Sequence, residues 1–147
     1  MVDDEDFDWL NQWKWHVEKP KIALYAVRNK NKNPKLRTLI KMHQMILKKE
    51  NGFIIDHIDG NGLNNQRHNL RYSTNSQSAM NRAKPKTGSN KFKGVHKRKT
   101  WNRFQAHIGV NGRKMHLGFF KTEIEAAIAY NEAAIKYHGE FARINIL

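Results

Sequence analysis

A chain of 147 residues makes one ordinary domain or two small ones, and modules of that size have thin cores. It contains no cysteine, which excludes disulfides and a cysteine-ligated structural zinc; any metal would be held by oxygen or imidazole. No run of about 20 apolar residues and no signal-peptide pattern occurs, so a cytoplasmic protein with no membrane partner is expected. The 27 Lys and Arg outnumber the 13 Asp and Glu, and unevenly. Residues 1–20 hold six acids and two bases; residues 21–147 hold 25 bases and seven acids, a local net of +18. A body this basic favours a polyanion, and nucleic acid is the expected partner.

Acids open the chain, and Phe7, Leu10 and Trp13 follow at near-helical spacing. This predicts a short amphipathic helix with acids at its positive end. The tryptophans around it read as core rather than as base-stacking groups. Ile22 to Val27 reads as a strand, and Arg28 to Lys35, basic and containing Pro34, as a loop. Leu36 to Leu47 fits a helical face, and equally a strand at Leu39 to Met42 leading into a helix at His43. Gly52 to Ile58 reads as a strand and Asp59-Gly60-Asn61-Gly62 as a turn. Ser73 or Thr74 is placed to cap a helix that runs to about Ala83.

Residues 84–91 have linker composition. Beyond them Phe92 to Lys97 reads as a strand. Arg103 to Val110 alternates, with Phe104, Ala106, Ile108 and Val110 on the apolar face. Asn111-Gly112 signals a hairpin turn. Met115, Leu117 and Phe119 are expected to continue the apolar face, with Lys114 and His116 opposite. Thr122 starts a helix, with Glu125 completing a capping box and Gly139 stopping it after His138.

The chemistry is concentrated at Ile54 to Gly60. Asp56 and His57 end an apolar strand, a glycine-rich turn follows, and Asn69 stands thirteen residues after the acid. Phosphodiester hydrolysis needs a deprotonated oxygen nucleophile and charge neutralisation at the phosphate and the leaving oxygen. A carboxylate suits a hard cation, and an imidazole suits a proton acceptor near neutral pH. Adjacent strand residues point to opposite faces, so Asp56 and His57 need the bend that the turn offers in order to address one phosphate.

Asp56-His57-Ile58-Asp59-Gly60, then Asn64-Asn65, Asn69-Leu70-Arg71, Thr74 and Ser76-Gln77, resembles the HNH endonuclease family, closest to its homing members in phages and introns. The resemblance covers residues 20–83. It implies a ββα-metal motif over 54–81, with Asp56 as metal ligand, His57 as general base and Asn69 holding the hairpin so that His57 stays aimed. The cation implied is magnesium before manganese. His43 matches a position that packs against or supports the motif. The helix of this branch normally supplies an asparagine ligand, but Ser78 stands there. Asn75 and Asn81, one turn to either side, are the substitutes.

In the C-terminal part, the solvent face of the expected sheet presents His96, Arg98, Trp101, Arg103, His107, Lys114 and His116, and no acid occurs from residue 92 to 121. A face carrying one sign of charge points to double-stranded DNA rather than to mere solvation. Paired exposed aromatics are not expected there, which disfavours RNA. Lys93-Gly94-Val95, Trp101, Phe104 to Ile108, Leu117 to Phe120, Glu125 to Ala127, Ala129-Tyr130, Ala133-Ala134, Gly139 and Asn145 resemble the APETALA/ethylene-response-factor DNA-binding domain. The resemblance adds Lys93 to the DNA contacts. His107 and His116 replace an acid and a tryptophan common in plant members, so a different sequence preference is implied.

The expected fold is α+β: an HNH module at 1–83, a linker at 84–91, and at 92–147 a three-stranded antiparallel sheet packed on one helix. The expected function is a homing-type, single-metal DNA endonuclease, monomeric, in a bacterial or phage-infected cell. The alternative is a DNA-binding protein whose nuclease is impaired by Ser78.

Overall fold

The computed structural model describes residues 1–19, 23–31, 38–84 and 90–147. Ile22, the residues from 32 onward in the expected loop, and most of the expected linker lie outside the described residues. Among the described residues no helix is long and apolar enough to cross a membrane. The fold is α+β, and the chain packs as two compact units, Met1–Asn75 and Ser76–Leu147. That division comes after Asn75, the first residue of the helix at Asn75–Asn81.

The first unit opens with α1, Asp4–Leu10, whose first turn is acidic as its dipole favours. The helix stops before Trp13, and its apolar face is not the one predicted. Leu10 is buried but Phe7 is exposed, while Asp6 is fully buried. An ion pair with Arg67, described below, is what turns Asp6 inward. Three short strands follow: β1 (His16–Glu18), β2 (Tyr25–Asn29) and β3 (Leu39–Lys41). They form an antiparallel sheet in the order β1-β2-β3, with Val27 opposite both His16 and Lys41. Arg28 and Asn29, expected in a loop, belong to β2 because they pair with Ile40 and Leu39. This pairing also decides the ambiguous stretch: it is a strand, followed by the one-turn helix α2 at His43–Ile46.

Next come β4 (Ile54–His57) and β5 (Leu70–Ser73), an antiparallel hairpin in which Asp56 faces Arg71 and His57 faces Leu70. A 3-10 turn at Arg67–Asn69 leads into β5. Ser73 ends β5 with its hydroxyl on the Ile54 carbonyl, 3.4 Å away. Leu10, Met42, Ile46 and Leu70 form the core of this unit, with Trp9, Trp15 and Ile55 against it. Trp15 keeps its indole N–H satisfied on the Leu10 carbonyl at 2.8 Å.

The second unit begins in α3, Asn75–Asn81, and continues with β6 (Val95–Arg98), β7 (Arg103–Val110), β8 (Arg113–Phe120) and α4 (Glu123–His138). The sheet is antiparallel in the order β6-β7-β8. Asn111 and Gly112 both have positive φ, as the two-residue hairpin turn requires. The capping box of Thr122 and Glu125 is fully formed. Ala126, Ala127 and Ala134 are wholly buried, which lets α4 lie close on Val95, Ala106 and Ile108. Gly94 is part of the same close fit: a methyl group there would come within 2.1 Å of the Tyr130 ring.

One expectation fails in β8. Met115 and Phe119 are 37% and 39% exposed, and Phe120 packs into the core in place of Phe119. For Phe119 the cause is a register shift between Ala106 and His107: Ala106 pairs with Gly118, but His107 pairs with His116, while Met115 precedes the shift and keeps its place opposite Ile108. The extra residue reverses the alternation of the strand beyond Leu117. Phe119 therefore lies opposite Gln105, on the open face.

Candidate functional site

The β4-β5 hairpin places the candidate catalytic residues, and a web of asparagines shapes the loop between its strands. His57 and Asn69 are 5% and 4% exposed. The Asn69 side chain accepts the Asp59 backbone N–H at 3.0 Å and donates to the Asn64 carbonyl at 2.8 Å and the Asp59 carboxylate at 3.0 Å. Asn64 donates to the other Asp59 oxygen at 2.9 Å, and Asp59 caps the Asn61 N–H at 2.7 Å. Burial works to raise the Asp59 carboxyl, but the bonds from Asn64, Asn61 and Asn69 outweigh it and hold the group below its ordinary value. This long loop is rigidified by side-chain hydrogen bonds to backbone in place of regular structure.

Sequence reasoning gave Asn65 no role. It is 1% exposed, and its Oδ1 lies 3.2 Å from His57 Nε2. Its backbone N–H donates to the Met1 carbonyl at 2.9 Å. The signal available was the doubled asparagine at 64–65, of which only a structure can show the reach. The imidazole of His57 is also packed edge-on against His43 at 4.9 Å, with the Tyr25 ring 6.1 Å away. Burial lowers the pKa of His57, opposed by the Asn65 bond and the Asp59 and Asp56 charges. Burial, with the His57 and Lys41 charges, lowers that of His43 to about 3. Both shifts favour the neutral ring.

Asp56 pairs across the hairpin with Arg71, whose nitrogens lie 3.2 and 3.3 Å from Oδ2; both side chains are 11% exposed. The facing strand position makes this partner geometrically natural, but sequence reasoning did not name it. Asn75, the last residue of the first unit, is exposed; Ser78 and Asn81 belong to the second unit, where Ser78 is half-buried and Asn81 buried. Among the described residues no group of three or more His, Cys, Asp or Glu gathers to hold a metal.

The α1 helix buttresses the loop. Arg67 donates to both oxygens of the buried Asp6, at 2.8 and 2.7 Å, and also meets Glu5 at 2.7 Å. Asp3 accepts the Arg67 backbone N–H at 2.7 Å. The acidic opening of the chain is thus a structural clamp on the stretch that carries Asn64, Asn65 and Asn69.

Residues 41–80 match the HNH endonuclease family. This segment is an HNH module. An uncharacterised HNH endonuclease of Acanthamoeba polyphaga mimivirus is 42% identical over 91 residues, covering 62% of this chain and 46% of that protein. The other similarity is to plant proteins. A dehydration-responsive element-binding protein of Arabidopsis thaliana is 33% identical over 87 residues, 58% of this chain and 42% of its own length. An APETALA2-like protein of Oryza sativa is 47% identical over 60 residues, 40% of this chain and 14% of its own. The chain thus spans less than half the length of each of these relatives. It joins an HNH module to an APETALA-type module, and this architecture supports a nuclease or DNA-binding role.

In the APETALA-type module the open sheet face carries most of the expected contacts. Arg98 pairs with Arg103, His96 with Gln105 and His107 with His116; Lys114 lies opposite Gly109. The His96 and His107 rings stack at 4.4 Å. Burial, then Lys114 and the neighbouring histidines, lowers the pKa of His107 to about 4. Arg98 donates to Gln105 at 2.7 Å, which holds its guanidinium against the sheet. Lys93 is not on this face: its ammonium donates to the Met80 carbonyl, and burial, with Arg143 nearby, lowers its pKa to about 8. Contrary to expectation, the face does carry an aromatic pair: Trp101, 62% exposed, meets Phe119 edge-on at 5.3 Å.

Proposed function

We propose that the protein is a homing-type DNA endonuclease in which the APETALA-type sheet finds a duplex site and the HNH module hydrolyses a nearby phosphodiester bond. The observation that carries the reading is a buried His57 held on one ring nitrogen by Asn65, beside Asp56 at the end of β4.

With the Asn65 amide oxygen as acceptor, Nε2 of His57 bears the hydrogen and Nδ1 keeps its lone pair. Nδ1 then takes the proton of the attacking water. A phosphorus–oxygen bond forms, the bond to the 3′ oxygen breaks, and that oxygen leaves as a free hydroxyl after taking a proton from solvent. Asn69 and the asparagine web keep the loop, and with it the imidazole, from swinging away. The donors fit a hard cation such as magnesium or manganese, which takes one or two carboxylates and fills its other positions with water. Asp56 would hold it, with the amide of Asn75, in the same unit, as partner. When bound, it would supply positive charge to the phosphate and the leaving oxygen.

Cleavage of supercoiled plasmid in magnesium or manganese tests the reading, beside an EDTA control and His57→Ala. Metal-dependent nicking that disappears in the variant is the expected result. One observation favours a second reading, a DNA binder with an impaired nuclease: Ser78, a shorter and weaker donor, stands where the family has asparagine. A protein that shifts duplex DNA but does not nick it, and gains nicking on Ser78→Asn, would establish that reading instead.

A further inference from the structure

Phe119 is the residue the register shift moves out of the core, and it lands on the basic sheet face, on the edge strand β8. It is 39% exposed, with Trp101 5.3 Å to one side and His116 4.8 Å to the other. In the same row across the sheet stand Gln105 and His96; Arg98 and Arg103 form the neighbouring row. A large apolar side chain left 39% open to solvent among cations forgoes part of its burial in the free protein. It would gain by covering an apolar group on a polyanion.

On the major-groove edges of the four unmodified base pairs there is one such group, the C5 methyl of thymine. The atom beside that methyl is O4, a hydrogen-bond acceptor, and Arg98, Arg103 and Lys114 are donors without acceptor capacity. The methyl of 5-methylcytosine sits beside an amino donor instead; no acid occurs from residue 92 to 121 to receive it, and the Gln105 amide oxygen opposite Phe119 already accepts from Arg98. We infer that Phe119, backed by Trp101 and His116, is a specificity-determining contact that reads the methyl group of thymine in duplex DNA. The inference rests on the sheet face being the duplex-binding surface.

The test uses the full-length protein in EDTA and the tightest-binding duplex recovered from a randomised pool, resynthesised with uracil at each thymine in turn. At one or more positions uracil should weaken binding by about fourfold, the contribution of one covered methyl. Phe119→Ala should lose the same factor on the thymine duplex and be indifferent to uracil there, while Phe119→Leu should keep part of the discrimination. A 5-methylcytosine–guanine pair at the sensitive position should remain weak. Indifference of the wild-type protein to uracil at every position would overturn the inference, as would discrimination that survives Phe119→Ala. Binding restored by 5-methylcytosine would overturn thymine as the group read. A protein that shifts no duplex at all would remove the DNA-binding reading itself, a result distinct from duplex binding without methyl discrimination.

Discussion

His57 and Asn65 stand eight residues apart, and their side chains meet at 3.2 Å in the interior of the loop they bound. In the proposed mechanism this contact sets which imidazole nitrogen accepts the proton. Asn65→Leu removes the acceptor and should lower nicking by about 10–100-fold, the loss typical of removing a group that orients a site residue. Duplex affinity in EDTA should stay unchanged. The tautomer of His57, read by nitrogen NMR, should change with the substitution. An unaltered tautomer would show that Asn65 does not set it.

His57→Ala should cost more, about 100- to 10,000-fold in nicking rate, because it removes the proposed base. Its duplex affinity should match that of the wild type. A variant that nicks at the wild-type rate would place the base elsewhere.

The pair of Asp6 and Arg67 joins α1 to the loop between β4 and β5, and the acid is fully buried. Arg67→Ala leaves that carboxylate without its main partner and should destabilise the first unit by about 3 kcal/mol at pH 7 in urea unfolding. Burial pushes the Asp6 carboxyl up, but its bonds from Arg67 and Trp9 prevail and hold its pKa below 3.8. The contribution is therefore present above pH 3.8 and lost as pH falls through the depressed value. The difference between wild type and Arg67→Ala should shrink in that range.

Acid should weaken the first unit earlier through the histidines. His43 is buried with its pKa lowered to about 3, against 6.5 in the unfolded chain. The unfolded state thus binds the proton first, and stability is complete above pH 6.5 and falls below it. The slope is about 1.4 kcal/mol per pH unit for one such group. His43→Phe keeps a ring against His57 and removes the titration, so its stability profile between pH 6.5 and 4 should be shallower. Parallel profiles would assign the acid sensitivity to other groups.

On the open sheet, Arg98→Ala with Arg103→Ala should weaken duplex binding and reduce the slope of log affinity against log salt by about 2, one for each phosphate left without its cation. An unchanged slope would move the DNA surface to another face.

Local signals announced several elements well. The capping box of Thr122 and Glu125, the Asn111-Gly112 turn and the alternation from Arg103 to Val110 all depend on neighbours within a few residues, and all stand where the pattern put them. The strand at Leu39–Lys41 could not be decided locally, because its alternation and a helical face used the same residues; the edge of β2 decided it. Phe7 and Asp6 were misplaced for a similar reason: helical periodicity cannot know that an arginine sixty-one residues away will draw an aspartate inward.

The amino-acid sequence by itself determined the two modules, the basic sheet, and the candidate pair Asp56 and His57 with Asn69 beyond them, since motif spacing and charge are properties of the chain alone. Tertiary structure decided what holds and faces these groups. Asn65 reaches His57 and Arg71 reaches Asp56 only because the hairpin closes. Phe119 faces outward only because one extra residue in β8 reverses its side of the sheet. Strand alternation has a period of two, so a single-residue shift exchanges inside for outside, and that shift belongs to the pairing of two strands rather than to either one.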